Sequence, residues 1–139
     1  MMKKKILFIC TGNSIRSQMA HALFDKMTDN QHEVYSAGVR PVGVHNLTQK
    51  VMGKINISME GYKSNHVSEY KDVYFDYIFV FCEIASLGLP QYKGNYKMIK
   101  MFIDDPIRII GSDKRKEKAF IFTRNLIEQK LEEFIEKYL

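Results

Sequence analysis

The chain has 139 residues, 45 % of them apolar and 27 % charged, and carries a net charge of +5. That length suits one domain with an ordinary core, and an apolar and aromatic content this high excludes a disordered chain. Lys and Arg are spread along the sequence without a repeated basic and aromatic motif, which argues against nucleic acid as a partner.

The start, Met1-Met2-Lys3-Lys4-Lys5 followed by Ile6-Leu7-Phe8-Ile9-Cys10, has the charge pattern of a secretory signal. Its apolar run stops at Thr11-Gly12 without a cleavage site, whereas a signal carries roughly 7–15 apolar residues and then small ones. Residues 4–10 are therefore read as a first strand covered on both faces. Residues 17–27 follow as a helix with Met19, Leu23, Phe24 and Met27 on one side. A second strand is expected at 33–37, then Gly38, a loop with Pro41 and a helical stretch near 45–54. Residues 57–68 read as an irregular loop over the sheet edge. The strongest strand signal spans 74–82, and a fourth, 96–103, ends at Asp104-Asp105-Pro106. A final helix from 112 to 139 places Phe120, Ile127, Leu131, Phe134 and Tyr138 at helical spacing, and the basic run 114–118 at its start reads as a solvated face.

Strands alternating with helices predict an α/β fold: a single domain over residues 1–139, built as a three-layer sandwich with a four-stranded parallel sheet and helices on both faces. No stretch approaches the roughly 20 apolar residues of a membrane span, and two cysteines are too few for a secreted disulfide framework. His21, His32, His45 and His66 show no metal-ligand spacing with either cysteine. The expectation is a cytoplasmic, monomeric protein with no membrane or nucleic-acid partner and no bound cofactor.

Ligands of an open parallel sheet bind beyond the carboxyl ends of the strands. The residues there are Cys10, Cys82 and Asp104-Asp105. Taken singly, either cysteine could be a small buried hydrophobe, and Asp-Pro commonly starts a turn. The segment Cys10-Thr11-Gly12-Asn13-Ser14-Ile15-Arg16-Ser17 adds chemistry. A Cys-x5-Arg loop from a strand end to a helix start can turn its backbone N–H groups onto one anion, and the helix dipole favours negative charge there. Gly12 permits unusual backbone conformations, and Arg16 offers a planar fork matched to two oxygens of a phosphate-like ion. The same surroundings favour a nucleophilic thiolate at Cys10. Ser17 either caps the helix or hydrogen-bonds that thiolate. Asp105 is the candidate acid for the leaving oxygen, with Asp104 as the nearer alternative.

These residues, together with Gln18-Met19-Ala20, Tyr35-Ser36-Ala37-Gly38, Ser64-Asn65-His66-x-Ser68, Cys82 and Asp104-Asp105-Pro106, carry a resemblance. Over essentially its whole length the chain resembles the low-molecular-weight protein tyrosine phosphatase superfamily and, within it, the thioredoxin-coupled arsenate reductases. The resemblance implies a nucleophilic Cys10, an anion-binding Arg16 and an acid at Asp105. In some of the reductases it resembles, a potassium ion supports the loop; Asn13 and Ser36 match ligand positions and Glu69 could stand in for an aspartate, while His21 replaces a glutamate, so no metal is assigned from the sequence. Position 15 is Ile15 where many relatives carry a second loop cysteine, and residues 83–90 hold no third one. The chain can therefore make only a Cys10–Cys82 disulfide internally, with Cys82 as resolving cysteine. An outside thiol, from thioredoxin, glutaredoxin or a small molecule, must then restore it. Arsenate reduction is the reading favoured by Cys82. The alternative is a phosphatase working through a phosphocysteine, which needs only Cys10, Arg16 and Asp105 but usually carries tyrosines after the Asp-Pro, where this chain has Ile107-Arg108-Ile109-Ile110.

Overall fold

The computed structural model describes residues 2–139. Four strands, β1 (Lys5–Cys10), β2 (Glu33–Gly38), β3 (Tyr77–Val80) and β4 (Lys97–Lys100), form one parallel sheet in the order β2-β1-β3-β4. β1 is central because every residue from Ile6 to Cys10 is apolar and can be buried on either face. Ile6, Phe8 and Cys10 enter one core cluster, and Leu7 and Ile9 the other. This is the two-residue alternation of a strand with both faces covered.

The two coverings differ. The first face receives α1 (Arg16–Met27), α2 (Asn46–Gly53) and α4 (Asp113–Tyr138), with Met19, Leu23, Phe24, Phe120, Ile127, Leu131 and Phe134 packed over Phe8, Phe79 and Phe81. The second is covered by short pieces: a 3-10 turn (Val67–Tyr70), α3 (Glu83–Leu87) and the connections that bring Phe75 and Tyr92 in. Helices thus lie on both faces, as the sequence predicts, but the long ones share one side.

Helix ends follow local chemistry. Ser112 Oγ accepts the Arg115 N–H at the start of α4, and His45 Nδ1 accepts the Leu47 N–H at the start of α2. α4 is pinned to α2 by Glu117, whose carboxylate lies 2.6 Å from Lys50 Nζ and 2.9 Å from Lys54 Nζ, and by Arg124, which donates to the Val51 carbonyl at 2.6 Å.

The regular strands are shorter than the patterns 74–82 and 96–103. Asp76 sits just before β3 and takes the Lys5 N–H on its carboxylate at 2.9 Å, so regular pairing starts only at Tyr77. Past the regular β4, the Met101 and Ile103 N–H groups still bond the Val80 and Phe81 carbonyls at 2.9 and 3.1 Å. The apolar pattern records burial, which continues after the regular ladder ends. Among the described residues no helix is long and apolar enough to cross a membrane.

Phe8 is fully buried, with ring centroids 4.8 Å from Phe79, 5.8 Å from Phe24 and 6.1 Å from Phe81. Phe8→Ala is expected to lower unfolding free energy by about 3–5 kcal/mol in urea titration, and a loss well under about 1 kcal/mol would show that this aromatic cluster does not organise the core.

Candidate active site

The loop from Thr11 to Ile15, between β1 and α1, is held by its carbonyl groups. Thr11 C=O accepts the Arg40 N–H at 2.9 Å, and Gly12 C=O the Val42 N–H at 3.0 Å. Asn13 C=O accepts Ser64 Oγ at 2.6 Å and Gln18 Nε2 at 3.1 Å. Ser14 C=O accepts the His45 N–H at 3.1 Å and Thr48 Oγ1 at 3.0 Å. A trans peptide sets its N–H opposite its C=O, and the described residues contain no cis bond. The N–H groups of Gly12, Asn13, Ser14 and Ile15 are therefore turned away from these anchors, toward the inside of the loop. A cavity of about 250 Å³ lies there, its walls including Cys10, Gly12, Ser14, Ile15, Arg16 and Asp105. Convergent N–H donors at a helix start make a seat for an oxyanion.

The conformational freedom expected of Gly12 is used instead by Asn13, at φ +48°, a left-handed conformation that Asn tolerates better than most residues. The glycine that matters is Gly38, at the end of β2 beside Cys10. A Cβ there would lie 2.6 Å from Thr11 O and 2.7 Å from Asn13 N.

Cys10 is 2 % exposed, and its Sγ lies 2.9 Å from Ser17 Oγ. Asn13 fixes the direction of that contact. Its Oδ1 accepts the Asn65 N–H at 2.8 Å, so its Nδ2 faces Ser17 Oγ and donates at 2.7 Å. Ser17 Oγ thus accepts from Asn13 and keeps its own proton available for the Cys10 sulfur. Ser17 is not a helix cap: α1 begins at Arg16, and its cap residue, Ile15, makes no side-chain capping bond. Of the two positions open from sequence, Ser17 lies against Cys10 and not at the helix cap.

Arg16 is 5 % exposed and held by the ends of two strands. Its Nη1 donates to Ile103 O at 2.8 Å and to Phe81 O at 3.4 Å, while Nη2 lies 3.4 Å from Asp105 Oδ2. Two neutral carbonyls orient Nη1, and the carboxylate of Asp105 meets Nη2. Asp105 is half-buried, and its Oδ1 accepts the Ile107 N–H at 3.0 Å. Asp104 is exposed and lines only the neighbouring cavity, so of the two acids it is Asp105 that faces Cys10.

Cys82 follows β3 directly, at the start of α3, and is half-buried. Its Sγ lies 3.1 Å from Thr11 Oγ1. It lines a second cavity, of about 550 Å³, which shares Thr11, Arg16 and Asp105 with the first. The sequence patterns thus come together: Cys10, Arg16, Asp105 and Cys82 surround two adjoining cavities.

The oxygens named for potassium are engaged otherwise. Asn13 Oδ1 holds the Asn65 N–H, and Ser36 Oγ lies 2.9 Å from His21 Nδ1. The Glu69 carboxylate accepts the His66 N–H at 2.6 Å and closes a capping box on the 3-10 turn. Among the described residues, no group of three or more His, Cys, Asp or Glu side chains could hold a metal ion. The donor set does not fit a cation cage. His21 is held near pKa 4 by burial, and burial likewise pushes the Asp25 carboxyl up. The imidazole is therefore neutral at physiological pH.

Residues 5–138 match the family model described as low molecular weight phosphotyrosine protein phosphatase. The chain belongs to this family. It is 32 % identical to an arsenate reductase of Halalkalibacterium halodurans and 31 % identical to one of Bacillus subtilis, each match spanning 98 % of both chains. Among solved structures, it resembles an arsenate reductase in the phosphate binding state, with a TM-score of 0.80 at 23 % identity over 99 % of this chain and all of the other. It also resembles Vibrio vulnificus Wzb in complex with benzylphosphonate, with a TM-score of 0.75 at 20 % identity over 98 % of this chain and 99 % of the other. The likeness to these solved structures concerns the fold.

Within this family fold, sequence reasoning gave no role to Ser64, Asn65, Gln18 or Gly38. The first two lie in the irregular stretch 57–68, whose lack of periodicity says nothing about what its polar groups reach. Gly38 is expected to be the least tolerant of the four, because its neighbours are loop backbone. Gly38→Ala should abolish phosphate binding in calorimetry while leaving the circular dichroism of the sheet and helices intact; unchanged affinity would show that the loop tolerates displacement. Arg16→Lys should weaken phosphate binding roughly tenfold or more, since one ammonium cannot reproduce the bidentate fork, and calorimetry reads this directly.

Proposed function

We propose that this chain is a thiol-dependent arsenate reductase with Cys10 as nucleophile and Cys82 as resolving cysteine. The observation that carries this reading is the position of Cys82, against Thr11 and on the wall of a cavity continuous in its lining with that of Cys10. Hydrolysis of a phosphate ester has no use for a second thiol there. The relatives named as arsenate reductases over nearly the full chain support the same reading.

The chemistry follows from the groups present. Arsenate occupies the loop, its oxygens on the inward N–H groups and the Arg16 fork. The Cys10 thiolate attacks arsenic, Asp105 supplies a proton to the departing oxygen, and water leaves as an S–As bond forms. Cys82 Sγ then attacks Cys10 Sγ. An S–S bond forms, the S–As bond breaks with its electron pair left on arsenic, and arsenite departs. The two thiols have lost two electrons and arsenate has gained them. With only two cysteines in the chain, the Cys10–Cys82 disulfide must be reduced from outside by thioredoxin, glutaredoxin or a small thiol. That bond requires the two Cα atoms within about 7 Å of each other.

A phosphatase acting through a phosphocysteine is the second reading. Cys10, Arg16 and Asp105 suffice for it, and Phe102, half-exposed on the wall of the larger cavity, offers a face to an aromatic leaving group.

Mass spectrometry of protein incubated with arsenate and no reductant separates the two. A loss of two protons with a linked Cys10–Cys82 peptide is expected, and Cys82→Ser should stop turnover of arsenate while sparing any hydrolysis of aryl phosphate. Two free thiols together with rapid aryl-phosphate hydrolysis would replace the reductase by the phosphatase. Cys10→Ser is expected to abolish both activities with the fold intact.

A further inference from the structure

The loop beside Cys10 is supported from behind by a polar cluster that the reaction itself does not use. His21 on α1 places Nδ1 at 2.9 Å from Ser36 Oγ on β2 and Nε2 at 3.5 Å from Asp25 Oδ2 one turn further along α1. Tyr62 donates its hydroxyl to the same Asp25 oxygen at 2.8 Å, and its ring meets the imidazole edge-on at 4.9 Å between centroids. One imidazole therefore joins α1, β2 and the segment that begins at Tyr62.

That segment is the one that clamps the loop. Three residues past Tyr62, Asn65 gives its N–H to Asn13 Oδ1 and its Nδ2 to the Ser36 carbonyl at 3.4 Å, while Ser64 Oγ holds the Asn13 carbonyl. Asn13, kept left-handed by these bonds, directs Ser17 onto Cys10. The line from His21 to the nucleophile thus runs through Ser36, Asn65, Asn13 and Ser17. Ser36, Asn65, Asn13 and Ser17 carry no charge, and both ring nitrogens of His21 face side chains of the protein.

We infer that His21 is a positioning residue which replaces a bound monovalent cation: it ties β2 and residues 62–65 to α1, so that the oxyanion loop keeps its shape without any ion. A cation behind the loop would need several oxygens turned to one point. Here Ser36 Oγ faces an imidazole, Asn13 Oδ1 faces an N–H, and the Glu69 carboxylate is committed to its own turn. The imidazole itself occupies the place between β2, α1 and the Tyr62 ring, with one nitrogen facing Ser36 and the other Asp25. This holds for arsenate and phosphate-ester chemistry alike, since either substrate needs the same loop.

The test reads phosphate binding by calorimetry and the rate of Cys10 alkylation by iodoacetamide at neutral pH, neither of which depends on which reaction is physiological. For the unmodified protein, both should be the same in potassium chloride and in tetramethylammonium chloride at equal ionic strength. Tighter phosphate binding or faster alkylation in potassium would overturn the inference, whatever the variants do. His21→Ala should weaken phosphate binding roughly tenfold and slow alkylation, the size of one buried hydrogen-bonding group lost. His21→Asn keeps a polar atom near the place of Nδ1 and should restore most of both. Ser36→Ala should reproduce the His21→Ala defect, and the double variant should be no worse than either single one. Wild-type binding and alkylation in His21→Ala, or strictly additive losses in the double variant, would reduce His21 to packing.

Discussion

The site rests on one constraint: every carbonyl from Thr11 to Ser14 is anchored outward, so the N–H groups behind them are turned inward. A short loop of free N–H donors would gain more by bonding water or its own carbonyls than by waiting for an anion. Anchoring removes that alternative. The anchors come from residues 40–48, from Ser64 and from Gln18 in the first turns of α1, so the loop is shaped by segments distant from it in sequence. Gly38 belongs to the same constraint, because the loop backbone runs where a side chain on β2 would otherwise stand.

Parallel strand order does the rest of the assembly. β1 and β3 are neighbours in register, Ile9 beside Val80, so the residues that leave the two strands emerge at the same sheet edge. Cys10 ends one and Cys82 follows the other, and Thr11 spans the gap between them. Arg16 is oriented by carbonyls just beyond β3 and β4. Cys10, Cys82, Arg16 and Asp105 are thus brought together by adjacency at strand ends, as ligand sites in open parallel sheets generally are.

The polar support between His21 and the loop is made of hydroxyl, amide and backbone groups, which suits its depth. Burying a full charge is costly unless it is paired, whereas a neutral imidazole with satisfied nitrogens is tolerated. Gln18, His21 and Asp25 occupy three positions of α1 that a purely hydrophobic reading of that helix leaves unexplained. Gln18 and His21 face the loop's supports rather than solvent, so α1 is divided between the core under Phe8 and the site.

Sequence alone determined the elements and most of the reacting groups, because both are written in local pattern. Five consecutive apolar residues from Ile6 to Cys10 belong to a strand buried on two faces, the spacing from Phe120 to Phe134 belongs to a helix, and Cys-x5-Arg at a strand-to-helix turn has few other readings. Tertiary structure decided what depends on distance. It set Asp105 and not Asp104 on the cavity of Cys10, put Ser17 against the Cys10 sulfur, gave the left-handed backbone to Asn13 and not Gly12, and gathered the long helices on one face. It also set His21 against Ser36 and brought Ser64 and Asn65 onto the loop from an aperiodic stretch. Side-chain hydrogen bonds between remote segments leave no periodicity in sequence, since their partners are set by how the sheet and helices close around them.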